Sequence, residues 1–170
     1  MKTNKPLTPK TPLKAKKALV TKSVLKAREK PRKQLATPIT KLRKKADILF
    51  SKAIRLRDVD SNGVGACITC ESRVHWKSAH AGHFMSRRFP ATRWDDENVN
   101  LQCVSCNTFN AGEQYKYSLA VDLKYGDGTA AKLAAKSQLY FKVTRAYIEE
   151  VIADSREEIA FYKTQGKHKA

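Results

Sequence analysis

The chain has 170 residues, of which 41% are hydrophobic, and its 34 Lys and Arg against 16 Asp and Glu give a formal charge of +18. That length allows one domain with a modest core plus a tail, and no apolar run approaches the ~20 residues that span a bilayer. The first residues lack the apolar segment of a secretory signal, so a reducing cytoplasm is expected, where paired cysteines read as metal ligands before disulfides.

The charge is uneven. Residues 1–45 hold 16 of the basic residues and a single acid, Glu29. Pro6, Pro9, Pro12, Pro31 and Pro38 break any long helix there. Residues 1–38 therefore read as a basic, disordered arm that lies on a polyanion, with DNA or RNA the expected partner. A merely solubilising tail is the plainer alternative.

A helix is predicted from Thr40 to about Asp58, because Leu42, Ala46, Leu49, Ala53 and Leu56 recur at spacings of four and three. Lys44, Lys45 and Arg55 fall largely off that stripe and are candidate phosphate contacts. Asp60-Ser61-Asn62-Gly63 reads as a turn. Arg73–Trp76 and His80–Met85 are expected to pair as a hairpin. A basic loop follows over Ser86–Asp96, in which Arg87, Arg88 and Arg93 are further DNA-binding candidates. A second helix is predicted from Cys106 or Asn107 to Leu123, a short one from a Thr129 cap to Ala135, and a long one over Ser137–Lys163. The acids of that last helix read as a solvated face. Its aromatic face is a candidate homodimer contact.

The four cysteines form two CxxC pairs, Cys67-Ile68-Thr69-Cys70 and Cys103-Val104-Ser105-Cys106, with 32 residues between them. Two such knuckles predict a tetrahedral zinc site, Cys67, Cys70, Cys103 and Cys106, that is structural because four thiolates leave no position for water. Three of the four histidines, His75, His80 and His83, lie between the pairs. His83 is the candidate general base, since a neutral imidazole can accept a proton from water. The plainer alternatives are a bystander histidine or a substitute zinc ligand. His75 reads as a surface strand residue, and Trp76 and Trp94 as packing residues.

The order CxxC, His83, Asn98, CxxC, Asn107 resembles the HNH nuclease pattern, a ββα-metal unit. Over about residues 40–165 the chain resembles the phage NinG (Rap) recombination family, through Leu56-Arg57-Asp58, Cys67-Ile68-Thr69-Cys70, Ala81-Gly82-His83, Asn98-Val99, Gln102-Cys103-Val104-Ser105-Cys106-Asn107 and the basic N-terminus. The resemblance implies an α+β fold: a zinc-stapled, HNH or treble-clef-like ββα core over 39–165, with flanking helices. It implies a DNA endonuclease acting on branched recombination intermediates such as Holliday junctions and D-loops, encoded by a phage and working in the bacterial cytoplasm. His83, Asn98 and Asn107 would be its catalytic residues. Asn98 would hold the loop or orient the His83 ring. Asn107 and His83 would serve a catalytic Mg2+ or Mn2+. The residue before the catalytic histidine in the HNH pattern is often a metal-binding Asp or His; here it is Gly82, so water, His80 or Asn110 would complete the shell. A non-catalytic zinc-dependent nucleic-acid-binding protein or a recombination adaptor is the competing reading.

Overall fold

The computed structural model of the protein describes residues 37–167. The basic arm, apart from residues 37 and 38, lies outside the described residues, as does His168. Among the described residues the architecture is α+β, with four α-helices around two small antiparallel sheets.

Helix α1, Ile39–Arg57, begins directly after Pro38 and buries Ala46, Phe50, Ala53, Ile54 and Leu56. The stripe expected from the sequence is present but wider, since Phe50 and Ile54 add a second row while Leu42 and Leu49 stay half-buried. Helix α4, Arg145–Thr164, lies along α1 and supplies Ile148, Val151 and Ile152 to the core that Phe50, Ile54, Trp94 and Val99 share. The aliphatic side of the final helix is thus spent inside the chain, with Tyr147 and Tyr162 half-buried beside it and Phe161 exposed.

Strand β1, Val64–Ala66, pairs with β2, Arg73–His75, and the first cysteine knuckle is the turn between them: Cys67 N–H donates to Ser72 O at 2.9 Å. Strand β3, His80–His83, pairs with β4, Val99–Gln102, with His83 opposite Val99 and His80 opposite Gln102. The expected hairpin of Arg73–Trp76 with His80–Met85 is therefore corrected. The intervening residues instead coil into a turn, with Ser78 and Ala79 N–H both on His75 O, which sends β3 to a different partner.

Two helix boundaries also differ from expectation. The helix predicted from Cys106 to Leu123 is broken into a wide turn, Ser105–Phe109, and helix α2, Gln114–Tyr125. The turn closes by an i to i+5 bond from Asn110 N–H to Ser105 O, 2.9 Å, the π-type geometry common at functional positions. Ala111, Gly112 and Glu113 all have φ between 50° and 85°, so the chain cannot continue as a right-handed helix there. The last helix starts at Arg145 rather than Ser137, because Thr144 Oγ1 accepts the Tyr147 N–H and caps it. Helix α3, Thr129–Ser137, has Gly128 rather than Thr129 as its cap; the Thr129 hydroxyl donates to Gly126 O. Helices α2 and α3 close a second small core of Tyr117, Val121, Ala130 and Leu133.

Candidate metal centre and the His80–His83–Asn107 cleft

The two knuckles meet. The β1–β2 turn carries Cys67 and Cys70, β4 runs straight into Cys103, and the wide turn begins around Cys106. All four Sγ atoms lie within 4.8 Å of one another. The Cys70–Cys103 separation is 3.8 Å, which matches the edge, roughly 3.8 Å, of a tetrahedron with Zn–S bonds of about 2.3 Å. Backbone donors point at the sulfurs: Cys103 N–H at Cys67 Sγ, 3.3 Å, and Cys106 N–H at Cys103 Sγ, 3.4 Å. Burial raises the Cys67 thiol, but the Cys103 N–H and the Thr69 hydroxyl outweigh it and bring it down to about 6. Cys106 moves the other way, to about 12: the Thr69 hydroxyl opposes the rise, while burial and the neighbouring sulfurs drive it. A cation that neutralises shared thiolates is what this crowding favours, and four cysteines at these distances fit a structural zinc.

The second constellation stands beside the first. On a strand His80 and His83 leave opposite faces, yet both line a cavity of about 320 Å³ that Asn107 also lines. The wide turn wraps the strand edge and places the Asn107 amide 2.8 Å from His80 Nδ1, with Thr108 Oγ1 at 3.5 Å. A neighbouring cavity of about 450 Å³ shares His83, Arg87 and Asn107. His83 Nε2 donates to Arg93 O at 3.1 Å. Burial is the main cause that lowers the His83 pKa to about 4, aided by the charges of Arg87 and Arg93 and opposed by backbone carbonyls. The imidazole is thus neutral at physiological pH. Asn110 ends the turn, exposed to solvent.

Asn98 is fully buried. Its Oδ1 accepts Met85 N–H at 2.6 Å, and its Nδ2 donates to Met85 O and Thr92 O at 2.9 and 2.8 Å. Its amide thus links Met85, just before the basic loop, to Thr92 within it, while the ring of His83 is held by Arg93 O. Asp47, the one acid of α1, completes that support. Its carboxylate takes Arg93 Nε and Nη2 at 2.9 and 2.6 Å and Trp94 Nε1 at 2.9 Å. An acid on an otherwise basic helix was the available signal.

The candidate DNA contacts divide by their surroundings. Lys44, Lys45, Arg87 and Arg88 are exposed, and the Arg88 guanidinium stacks 4.9 Å from the Phe89 ring. Arg55 turns inward, donating to Trp76 O at 2.9 Å and Ser51 O at 3.0 Å. Arg93 is committed to Asp47 and to Arg87 O. Both therefore act as internal braces here. Trp94 is a core residue and Trp76 packs, half-buried, on two smaller clusters, as expected; Lys52, Arg55 and Lys77 lie 5.5, 5.7 and 5.9 Å from the Trp76 ring. His75 is half-buried rather than on the surface, its Nε2 enclosed.

A further network joins α1 to β4 and α2. Arg57 grips Asp58 through Nε and Nη2 at 2.8 and 3.0 Å, and Asp58 also takes Lys124 Nζ and Leu101 N–H. Asn100, fully buried, accepts Arg57, Lys124 and Tyr125 through one oxygen. Burial alone would raise the Asp58 carboxyl, but the Arg57 and Lys124 cations hold it below its ordinary range.

The family model described as bacteriophage lambda NinG protein matches residues 2–165. The chain belongs to the NinG family. Membership implies a role connected with phage recombination. The match takes in the basic arm, both knuckles and the cleft, and runs through α4. No curated protein and no solved structure matches the chain. No helix among the described residues is long and apolar enough to cross a membrane.

Proposed function

We propose that this NinG-family protein is a cation-dependent, structure-specific DNA endonuclease of the HNH type that cuts branched recombination intermediates. The observation that carries the reading is the convergence of neutral His83 with the His80–Asn107 pair on one cleft, bordered by Ser51 and Arg55 of α1 and by Arg87. Phosphodiester hydrolysis needs an activated water, neutralised phosphoryl charge and help for the leaving oxygen.

His83 supplies the first. Its Nε2 is tethered to a carbonyl, which fixes the ring, and the neutral imidazole takes a proton from water. The donors His80 Nδ1 and Asn107 Oδ1, after a turn of the Asn107 amide, suit one divalent ion of the Mg2+ or Mn2+ class with water filling the remaining positions. Such an ion, when bound, supplies charge neutralisation at the phosphate and the leaving oxygen. Exposed Lys44, Lys45, Arg87 and Arg88 hold flanking phosphates. Asn98 fixes the loop that carries the last two.

One observation favours the competing, non-catalytic reading: Gly82 offers no side chain to a cation, so the cleft has few protein donors. Binding and cutting of a four-way junction by wild type and His83→Ala separate the two. The nuclease reading predicts unchanged binding and loss of at least ~100-fold in cutting. Binding without cutting by both proteins would leave a zinc-stapled DNA-binding module.

A further inference from the structure

The side chain that Gly82 lacks points at a space already taken. A Cβ built there would stand 2.1 Å from Gln102 Oε1 and 2.9 Å from Gln102 Cβ. Gln102 is fully buried, on the same sheet face as Gly82. Its Oε1 has no hydrogen-bond partner among the described residues, so the hydrogen that Gly82 carries in place of Cβ is its neighbour, a weak C–H···O contact that only glycine provides. Its Nε2 is fully used: it donates to Gly112 O at 2.9 Å and to Thr69 Oγ1 at 3.3 Å. Thr69 Oγ1 in turn lies 3.2 Å from Cys67 Sγ. One amide therefore touches the strand that bears His83, the first zinc knuckle and the far end of the turn that bears Asn107.

That far end needs holding. Ala111, Gly112 and Glu113 are three consecutive left-handed residues, two of them not glycine, and such backbone persists only where its surroundings fix it. Gly112 N–H is anchored on Cys106 O, and Gly112 O on Gln102. Tyr117 of α2, fully buried, donates to Gly82 O at 2.8 Å and pins the strand from the same side.

We infer that Gln102 is a positioning residue: packed into the space left by Gly82, its amide fixes the Asn107 turn against the His83 strand and the zinc knuckle, and so sets the cleft's affinity for its divalent cation. The inference rests on the reading of the cleft as cation-dependent. It also gives Gly82 a reason to be where a ligand-bearing residue is otherwise expected, since any side chain there would expel the amide.

The test uses the full zinc-loaded chain. Gln102→Met keeps the volume and removes the donor; Gly82→Ala displaces the same amide from the opposite strand and serves should either variant fold poorly. Three quantities are read: bound zinc, the Mn2+ concentration giving half-maximal junction cleavage, and the Mn2+ concentration that half-broadens the His80 ring signals in NMR. The expected result is one zinc per chain in every variant, with both Mn2+ midpoints raised about tenfold in Gln102→Met and Gly82→Ala. Combining Gln102→Met with Asn107→Ala should add nothing to the effect of Asn107→Ala alone. Unchanged Mn2+ midpoints in variants that merely unfold more easily would overturn the inference, as would effects that multiply with Asn107→Ala. A wild type that cuts no DNA would sink the nuclease reading by itself. The His80 broadening would then still decide the role of Gln102, a tenfold shift supporting it and an equal midpoint refuting it.

Discussion

Asn98→Ala should be among the most damaging single changes in the fold. The side chain is fully buried and makes three hydrogen bonds, to Met85 N, Met85 O and Thr92 O, at 2.6, 2.9 and 2.8 Å. Each such bond contributes about 1 kcal/mol net, and deleting one partner strands the other. Thr92 is itself buried, so its carbonyl gains no water, whereas half-buried Met85 gains some. The expected loss is about 3 kcal/mol. Asn98→Asp should cost at least as much, because an acceptor-only carboxylate would face two carbonyls. Urea unfolding of the zinc-loaded protein, followed by the fluorescence of core Trp94, measures both. A loss below about 0.5 kcal/mol for Asn98→Ala would refute the claim that this amide holds the basic loop.

Removing zinc with a chelator, or one ligand with Cys103→Ser, should lower the unfolding midpoint markedly, because the metal would tie the β1–β2 turn to the end of β4 and the turn that follows it; a chelated protein with the untreated midpoint would count against a structural zinc. Asp47→Asn should destabilise the domain by about 2 kcal/mol, since it weakens a half-buried bidentate pair with Arg93; calorimetry reads the loss, and no change would show the pair to be incidental. Asp58 has a folded pKa below its unfolded value, so its stabilisation is complete above about pH 4 and is lost as pH falls through the depressed folded value. Asp58→Asn should therefore flatten the acid limb of the stability profile, and an acid limb identical to wild type would contradict the assignment.

Much of this arrangement is legible in the chain. The two CxxC pairs specify a metal site through local spacing alone, and the knuckles do converge. The stripe of α1 is likewise a local signal. Strand pairing is not: β3 chooses β4, 16 residues further on, because the turn after His75 redirects the chain, and nothing in the short, weakly alternating segments encodes that choice. The break at Ala111–Glu113 escaped because only Gly112 marks it, while its two flanking residues adopt left-handed backbone under tertiary restraint. His83 and Asn107 are readable as candidates from a family pattern. Their supports, Asp47 and Gln102, come from distant elements and have ordinary surroundings in the sequence. The same holds for Arg55 and Arg93, whose charge suggests DNA while their hydrogen bonds point inward.

Cutting of branched DNA is the activity proposed for the cleft of His80, His83 and Asn107. Its most direct test is the single-turnover rate on a labelled four-way junction and a matched linear duplex, with Mg2+ or Mn2+ and with neither, for zinc-loaded wild type and His83→Ala. The expected result is cation-dependent cutting that favours the junction and disappears in His83→Ala. Cutting that His83→Ala retains, or a junction bound tightly and left intact under every cation condition, would contradict it.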